Sequence, residues 1–233
     1  MELSSEASAF AVLVAGFVIG LRHALDADHL AAVSAIVSDK KSLWSSSIVG
    51  GLWGLGHTIS LFLAGIVVIV LKVSISENVE AYLEAAVGVM LVALGLNVLR
   101  KLFVAEKIHA HEHTHGGQSH THLHVHEVEE KAAAHHGFSP RSVIVGMVHG
   151  LAGSAGLMLL ILPTIASPAL ALLFILIFGI GSIGGMMVMS FLMGLPLHYT
   201  FGRFDAVNKG LRVIAGLFSL SWGVLLIHEK LLS

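Results

Sequence analysis

The sequence of 233 residues contains no cysteine. Without a thiol, the chain cannot form a disulfide, bind a metal ion or an iron–sulfur cluster through a thiolate, or carry electrons as cysteine-dependent membrane reductases do. Charged residues are also scarce: they make up 12% of the chain, against about 25% of an average soluble domain. Hydrophobic residues make up 55%. This composition is typical of a protein that lies in a membrane.

The sequence also has no G-x-x-x-x-G-K-[ST] loop, so it carries no nucleotide-hydrolysing site of that kind. Its longest stretch without a long apolar run covers about residues 105–138. That stretch is too short to bury a hydrophobic core of its own. We therefore expect no separate catalytic domain, and we predict that the protein is not an enzyme.

Six apolar segments are long enough to cross a hydrocarbon core of about 30 Å as helices. They cover residues 9–37, 47–71, 81–104, 141–163, 168–197 and 211–228. The first is long for a single span, so it is either a tilted helix or two half-helices that meet around residues 22–29. The sequence predicts an all-α, polytopic membrane protein with about six transmembrane helices.

The two halves of the chain resemble each other weakly, at spacings of 125 to 128 positions. The corresponding positions are Gly20 and Gly146, Gly54 and Gly179, Gly88 and Gly216, and Gly95 and Gly223. Because each half has three spans, the second half enters the membrane from the opposite side. Such a 3+3 inverted repeat is typical of secondary transporters whose site lies near the midplane. The predicted units are a first half (1–104), a histidine-rich loop (105–138) and a second half (139–233).

Lysine and arginine fall unevenly on the two sides of the predicted spans. Ten lie in loops on one side and only two on the other, while Arg22 falls within the first segment. Loops rich in these residues are usually cytoplasmic. We therefore predict a prokaryotic-type plasma or inner membrane location, with both termini outside and residues 105–138 in the cytoplasm.

Five ionisable residues lie within eight positions of the first segment. They are Arg22, His23, Asp26, Asp28 and His29. Each charge costs about 2.5–3.5 kcal/mol at the centre of a membrane helix on insertion scales, so the group must be paired, hydrated or bound to metal. On an ideal helix Asp28 points about 140° away from His23. One ion therefore meets all the ligands only if the helix is distorted at this point.

The donor set of this group selects a class of metal. Imidazole and carboxylate without thiolate favour a borderline divalent ion such as Ni²⁺ or Co²⁺, and Zn²⁺ and Cu²⁺ stay open. The alternative is a purely structural network that pairs Arg22 with the two aspartates. That alternative gives no role to His23 and His29.

Two more membrane histidines extend the candidate site. His57 follows Gly54 and Gly56 in the second segment, where close helix approach is favoured, and we predict that it is a ligand or a gate. His149 is the repeat counterpart of His23, and Ser154 stands where Asp28 would fall. We treat His149, Ser154 and Arg22 as second-half or gating candidates.

These motifs resemble those of a known family. His23-Ala24-Leu25-Asp26-Ala27-Asp28-His29 resembles the signature of the nickel/cobalt permeases, and Gly56-His57-Thr58 resembles the motif on their next helix. The segment His149-Gly150-Leu151-Ala152-Gly153-Ser154 is similar to the six-helix, urease-accessory type of nickel permease. The resemblance implies high-affinity uptake of Ni²⁺ or Co²⁺. The metal-recognition residues that it implies are His23, Asp26, Asp28, His29 and His57.

The loop between the halves carries alternating histidines. They include His109, His111, His113, His115, His120, His122, His124 and His126. A His-x-His pattern binds borderline metals with little preorganisation, so we predict a metal-buffering loop. The alternative is a solvated linker that binds no metal.

Three functions stay open at this level. The first is uptake of a divalent transition-metal cation by a secondary permease, the second is efflux of nickel or cobalt, and the third is a nickel-binding membrane accessory protein for urease or hydrogenase maturation. The expected partners are the metal ion, the lipid bilayer, and a nickel chaperone or apo-enzyme at the loop, with no nucleic acid. No prosthetic group is expected, and Ni²⁺ or Co²⁺ is the transported substrate.

Overall fold

A computed structural model describes residues 2–40, 42–72, 76–104, 109–115, 118–124, 140–152, 165 and 167–231. The helices in these ranges are α1 (Glu2–His23), α2 (Ala27–Val37), α3 (Leu43–Leu71), α4 (Glu77–Val104), α5 (Pro140–Ala152), α6 (Pro168–Thr200) and α7 (Asp205–Leu231). Two short strands, β1 (His109–His115) and β2 (Gln118–His124), lie between α4 and α5.

The helices have the lengths and the apolar surface of a multi-pass membrane protein. Within the described ranges, α3, α4, α6 and α7 are each long and apolar enough to cross a membrane, and α1 with α2 forms a fifth, bent span. The predicted span 141–163 is described only as far as Ala152, and its remainder lies outside these ranges. Large apolar side chains such as Leu63 and Val188 are more than half exposed, as expected for contact with lipid.

The first apolar segment forms two half-helices. α1 ends at His23 and α2 begins at Ala27, with a bend of 55° between them. Of the two forms that the sequence left open, the broken span is therefore correct.

The predicted inverted repeat is confirmed by the direction of the paired helices. α3 and α6 occupy equivalent positions in the two halves, and they run antiparallel, because Gly54 packs against Ile183 and Thr58 against Gly179. α4 and α7 are also equivalent and antiparallel. Their close contacts join Gly88 to Gly223 and Gly95 to Gly216. Since equivalent helices run in opposite directions, the second half is inverted relative to the first.

Glycines allow one helix of each half to pack closely against the opposite half. A Cβ at Gly20 in α1 would overlap the carbonyl oxygen of Phe178 in α6. The equivalent contact in the other half joins Gly146 in α5 to the carbonyl oxygen of Trp53 in α3. Both positions therefore require glycine, and the two contacts hold α1 and α5 at equivalent depths against the opposite half.

An ion-pair group fixes the end of α2. Asp39 follows this helix and accepts a hydrogen bond of 2.8 Å from the Lys101 ammonium of α4, and it also pairs with Arg212 of α7. Burial opposes ionisation of this carboxyl, but the hydrogen bond and charge of Lys101, together with the charge of Arg212, hold the pKa of Asp39 below its usual value. α2 is thus tied to both halves at this end.

The strands form an antiparallel hairpin, which the sequence did not predict. Its register pairs His109 with His124, His111 with His122, and His113 with His120. His126 lies outside the described ranges. This hairpin is the one exception to the all-α prediction in the described part of the chain.

The glycine contacts predict a difference between two alanine variants. Gly146→Ala should lower the free energy of unfolding by about 1–3 kcal/mol, because the added methyl group must displace backbone. Gly184→Ala is the matched control, since its nearest neighbour would be the Leu21 Cδ2 atom at 3.9 Å. Unfolding of the purified proteins in detergent measures both. Equal stabilities would contradict the interlocked packing.

Candidate metal centre

The break between α1 and α2 brings His23 at the end of α1 close to His29 at the start of α2. The N–H groups of Leu25 and Asp26 donate to the carbonyl oxygens of Arg22 and His23, which closes the last turn of α1. Asp26 then adopts an extended conformation before α2 begins. Asp28 and His29 therefore lie in the first turn of a new helix, where the helix dipole favours an ionised carboxylate.

Four histidines from four helices meet at this break. They are His23 of α1, His29 of α2, His57 of α3 and His149 of α5, and each is at most 4% exposed. The ring centre of His29 lies 4.4 Å from the ring centre of His23 and 4.2 Å from that of His149. The ring of His57 lies 5.3 Å from that of His23. We call these four side chains, with Asp28, the histidine cluster.

Two carboxylates orient the imidazole rings. Asp26 lies 2.7 Å from Nδ1 of His23. Asp28 bridges two rings, with one oxygen 3.1 Å from Nδ1 of His29 and the other 2.9 Å from Nε2 of His149. Carboxylates that hold the second nitrogen of a histidine in this way fix the ring and its tautomer for metal binding. Asp28 also joins the two halves, since His149 belongs to the second.

Several ring nitrogens in the cluster are buried with no hydrogen-bond partner among the described residues. They are Nε2 of His23 and His29, Nδ1 of His149 and both nitrogens of His57. Buried polar groups without partners are costly and rare. Ligand atoms of His23, His29 and His57 lie within 4.8 Å of one another, and so do those of Asp28, His29 and His149. A divalent cation would satisfy one ring nitrogen each of His23, His29 and His57.

The structure places the residues that the sequence singled out as follows. His23, Asp28, His29 and His57 come together as expected, and His149 joins them directly. Asp26 lies at the edge, with its side chain 51% exposed, and contacts His23. Arg22 is exposed and forms no ion pair with any residue that the structure describes. Ser154 lies outside the described ranges.

Two aromatic residues beside the cluster were not predicted from the sequence. The ring centre of Trp53 lies 5.2 Å from that of His29 and 5.3 Å from that of His149. Phe178 lies 5.4 Å from His23. Trp53 is four residues before His57. Phe178 lies 125 positions after Trp53, which is the repeat spacing. Extension of the repeat alignment beyond glycine and histidine would have identified both.

Comparisons with known proteins give three findings. The family model of the cytochrome c biogenesis protein transmembrane region matches residues 29–225. The urease accessory protein UreH of a Bacillus species is 35% identical over 214 residues, which cover 91% of this chain and 89% of that protein. A high-affinity nickel transport protein of Cupriavidus necator is 36% identical over 81 residues, which cover 34% of this chain and 23% of the relative. No solved structure matches the chain.

The geometry predicts that His149 contributes to metal affinity. In a chain whose hairpin histidines are replaced by asparagine, His149→Ala should weaken Ni²⁺ binding by about 10- to 100-fold, the usual effect of losing a group that supports a metal site. His228→Ala is the matched control, because His228 is exposed near the end of α7. Titration calorimetry in detergent measures both. Unchanged affinity in His149→Ala would contradict the assignment.

Proposed function

The chain belongs to the family of the cytochrome c biogenesis protein transmembrane region and to the nickel permease type that includes the urease accessory protein UreH, and on this basis we propose that it is a secondary permease for Ni²⁺ or Co²⁺. The cation is its cargo and not a resident cofactor. The transport direction that we propose is uptake into the cytoplasm.

The observation that carries this proposal is the pair of unpartnered nitrogens on His57. A fully buried imidazole that serves only packing normally has at least one hydrogen bond. Here the ring faces His23 and His29, whose free nitrogens also lack partners. Neutral imidazole is a good ligand for Ni²⁺ and Co²⁺. A cation that enters this cluster exchanges water for imidazole, with Asp28 supplying negative charge beside it.

The arrangement of the two halves supports movement of the cation as well as binding. The cluster draws His23, His29 and His57 from the first half and His149 from the second. A site at the interface between inverted repeats is exposed to either side when one repeat rocks against the other. Asp28 spans this interface through its contact with His149.

The membrane potential supplies enough free energy for uptake. Movement of one charge across a potential of 100 mV is worth about 2.3 kcal/mol, so a divalent cation that enters a negative interior at this potential gains about 4.6 kcal/mol. This free energy supports a concentration ratio of about 2,000-fold. The chain therefore needs no nucleotide hydrolysis. Thiol-based electron transfer is excluded for this chain by its lack of cysteine.

A second candidate function follows from the name of the urease accessory relative. In that case the chain binds nickel at the membrane and passes it to an apo-enzyme without transporting it. The hairpin between the halves favours this candidate as a delivery element. Efflux is the third candidate, since the geometry of the cluster is the same for either direction of flow.

For the hairpin, we propose that it binds metal through paired histidines. Alternate residues of a strand lie on the same face of a sheet. The register pairs His109 with His124, His111 with His122, and His113 with His120. Directly paired positions have Cβ atoms about 4.5–5.5 Å apart, close enough to share one cation. We propose that the hairpin lies in the cytoplasm, on the side of the lysine- and arginine-rich loops.

The transport proposal predicts Ni²⁺ influx into proteoliposomes that contain the purified chain, an internal chelator dye and an inside-negative potential. His57→Ala should abolish influx, since the ring has no other partner in the described structure, and His228→Ala should not change it. Absence of influx in the wild type, with Ni²⁺ still bound, would favour the accessory function. In cells, expression should raise nickel content, and a fall would indicate efflux.

The hairpin proposal predicts that two double variants with equal histidine loss differ. His111→Asn with His122→Asn removes one cross-strand pair, and His109→Asn with His120→Asn breaks two. The second variant should therefore lose about twice as much Ni²⁺ binding capacity in equilibrium dialysis, because each pair is one site. Equal losses would indicate an unpaired, histidine-rich segment instead.

A further inference from the structure

Two aromatic rings pack against the histidine cluster. Trp53 is fully buried and Phe178 is 3% exposed. Trp53 packs against His29 and His149, while Phe178 packs against His23. The rings thus contact different members of the same cluster.

The register of α3 and α6 places the two rings at different depths. Gly54 lies opposite Ile183 and Thr58 opposite Gly179, so Phe178 lies about one residue beyond Thr58 along α3. Trp53 is then separated from it by about 9 Å along the helix axis, at a rise of 1.5 Å per residue. His57 lies between the two levels. Trp53 is on the side of Ser42, which precedes α3, and Phe178 is on the side of Lys72 and Ser167.

The two rings are also equivalent in the repeat. The carbonyl oxygen of Trp53 meets Gly146, and the carbonyl oxygen of Phe178 meets Gly20. In an inverted repeat, the operation that exchanges the halves also exchanges the two ends of the pathway. A pair of gates, one for each end, is therefore expected at equivalent positions of the two halves. Trp53 and Phe178 meet this requirement and contact the site directly.

Nothing polar holds either ring in its place. The Nε1 atom of Trp53 is buried and has no hydrogen-bond partner in the part of the chain that the structure describes, and phenylalanine has no polar group. Displacement of the indole toward water would break no hydrogen bond and would satisfy its N–H group. Because the four cluster histidines are at most 4% exposed, a cation reaches them only after a neighbouring group moves.

Building on the proposed transport function, we propose that Trp53 and Phe178 are the two gates of the metal pathway, each closing the histidine cluster toward one end of the helix bundle. Trp53 closes the end at Ser42, and Phe178 closes the end at Lys72. Loss of either ring opens the cluster to one side only.

The absence of cysteine makes a direct accessibility test available. Ser182→Cys introduces a single thiol of similar size at a fully buried position of α6, between the levels of the two rings. Ser182 is the repeat equivalent of His57, and its hydroxyl has no partner among the described residues. Reference thiols at exposed positions mark the two ends of the bundle: Ser42→Cys for one and Lys72→Cys for the other. A membrane-impermeant maleimide is applied to right-side-out and to inside-out vesicles.

We expect the thiol at position 182 to be protected from both sides in the otherwise unchanged chain. Trp53→Ala should raise its labelling rate from the Ser42 side alone, and Phe178→Ala from the Lys72 side alone. Each increase should be about tenfold, which is a shift of about 1.4 kcal/mol in the opening equilibrium. Trp44→Ala and Phe191→Ala are matched controls on the same two helices, since both side chains are exposed. Labelling in the controls should not change.

Two results would overturn the assignment. One is that both gate variants open the same side, and the other is that neither changes labelling although both proteins remain monodisperse. If an alanine variant aggregates, Trp53→Leu and Phe178→Leu replace it, because leucine keeps apolar volume and removes the flat ring. Labelling requires no transport, so failure of the gate assignment is distinguished from failure of the transport proposal, which the Ni²⁺ influx assay tests separately.

Discussion

Imidazole nitrogens buried in an apolar bundle must find hydrogen bonds or a cation, and the arrangement around the histidine cluster follows from that constraint. A continuous helix could not meet it, because the ligands of the first segment would point in different directions. The break before Ala27 brings His29 close to His23 and Asp28 close to His149. The same break places the positive end of α2 beside the carboxylates that need it.

Close helix contacts at glycine then bring ligands from both halves within reach. Gly146 sets the depth of α5 against Trp53, and this contact positions His149, one turn further along the helix, beside Asp28. The equivalent contact at Gly20 positions His23. The symmetry of the backbone is not repeated by the side chains, since His57 of the first half corresponds to Ser182 of the second. The helix packing therefore has twofold symmetry, but the histidines do not. Three of them come from the first half and one from the second, and they form one cluster.

Much of this could be predicted from the sequence, because long apolar segments and intramembrane charges carry strong physical signals. The inverted repeat follows from repeat spacing, and charge cost indicates that His23, Asp28 and His29 are paired, hydrated or bound to metal. Segment length left open whether the first span is tilted or broken. The roles of Asp26 and Trp53 were harder to predict. Spacing along a helix says nothing of which nitrogen a carboxylate contacts, and a tryptophan in an apolar segment resembles any lipid-facing residue. The hairpin register also depends on a turn whose geometry histidine alternation alone does not specify.

Helix α2 contacts the second half of the chain at both of its ends. At its first turn Asp28 reaches His149 of the second half. After its last turn Asp39 reaches Lys101 of the first half and Arg212 of the second. Its 11 residues span only about 16 Å, so this short helix is attached to the second half at both ends. Any rocking between the halves must therefore strain or shift α2. Since α2 carries two of the cluster residues, such movement would change the geometry of the histidine cluster itself.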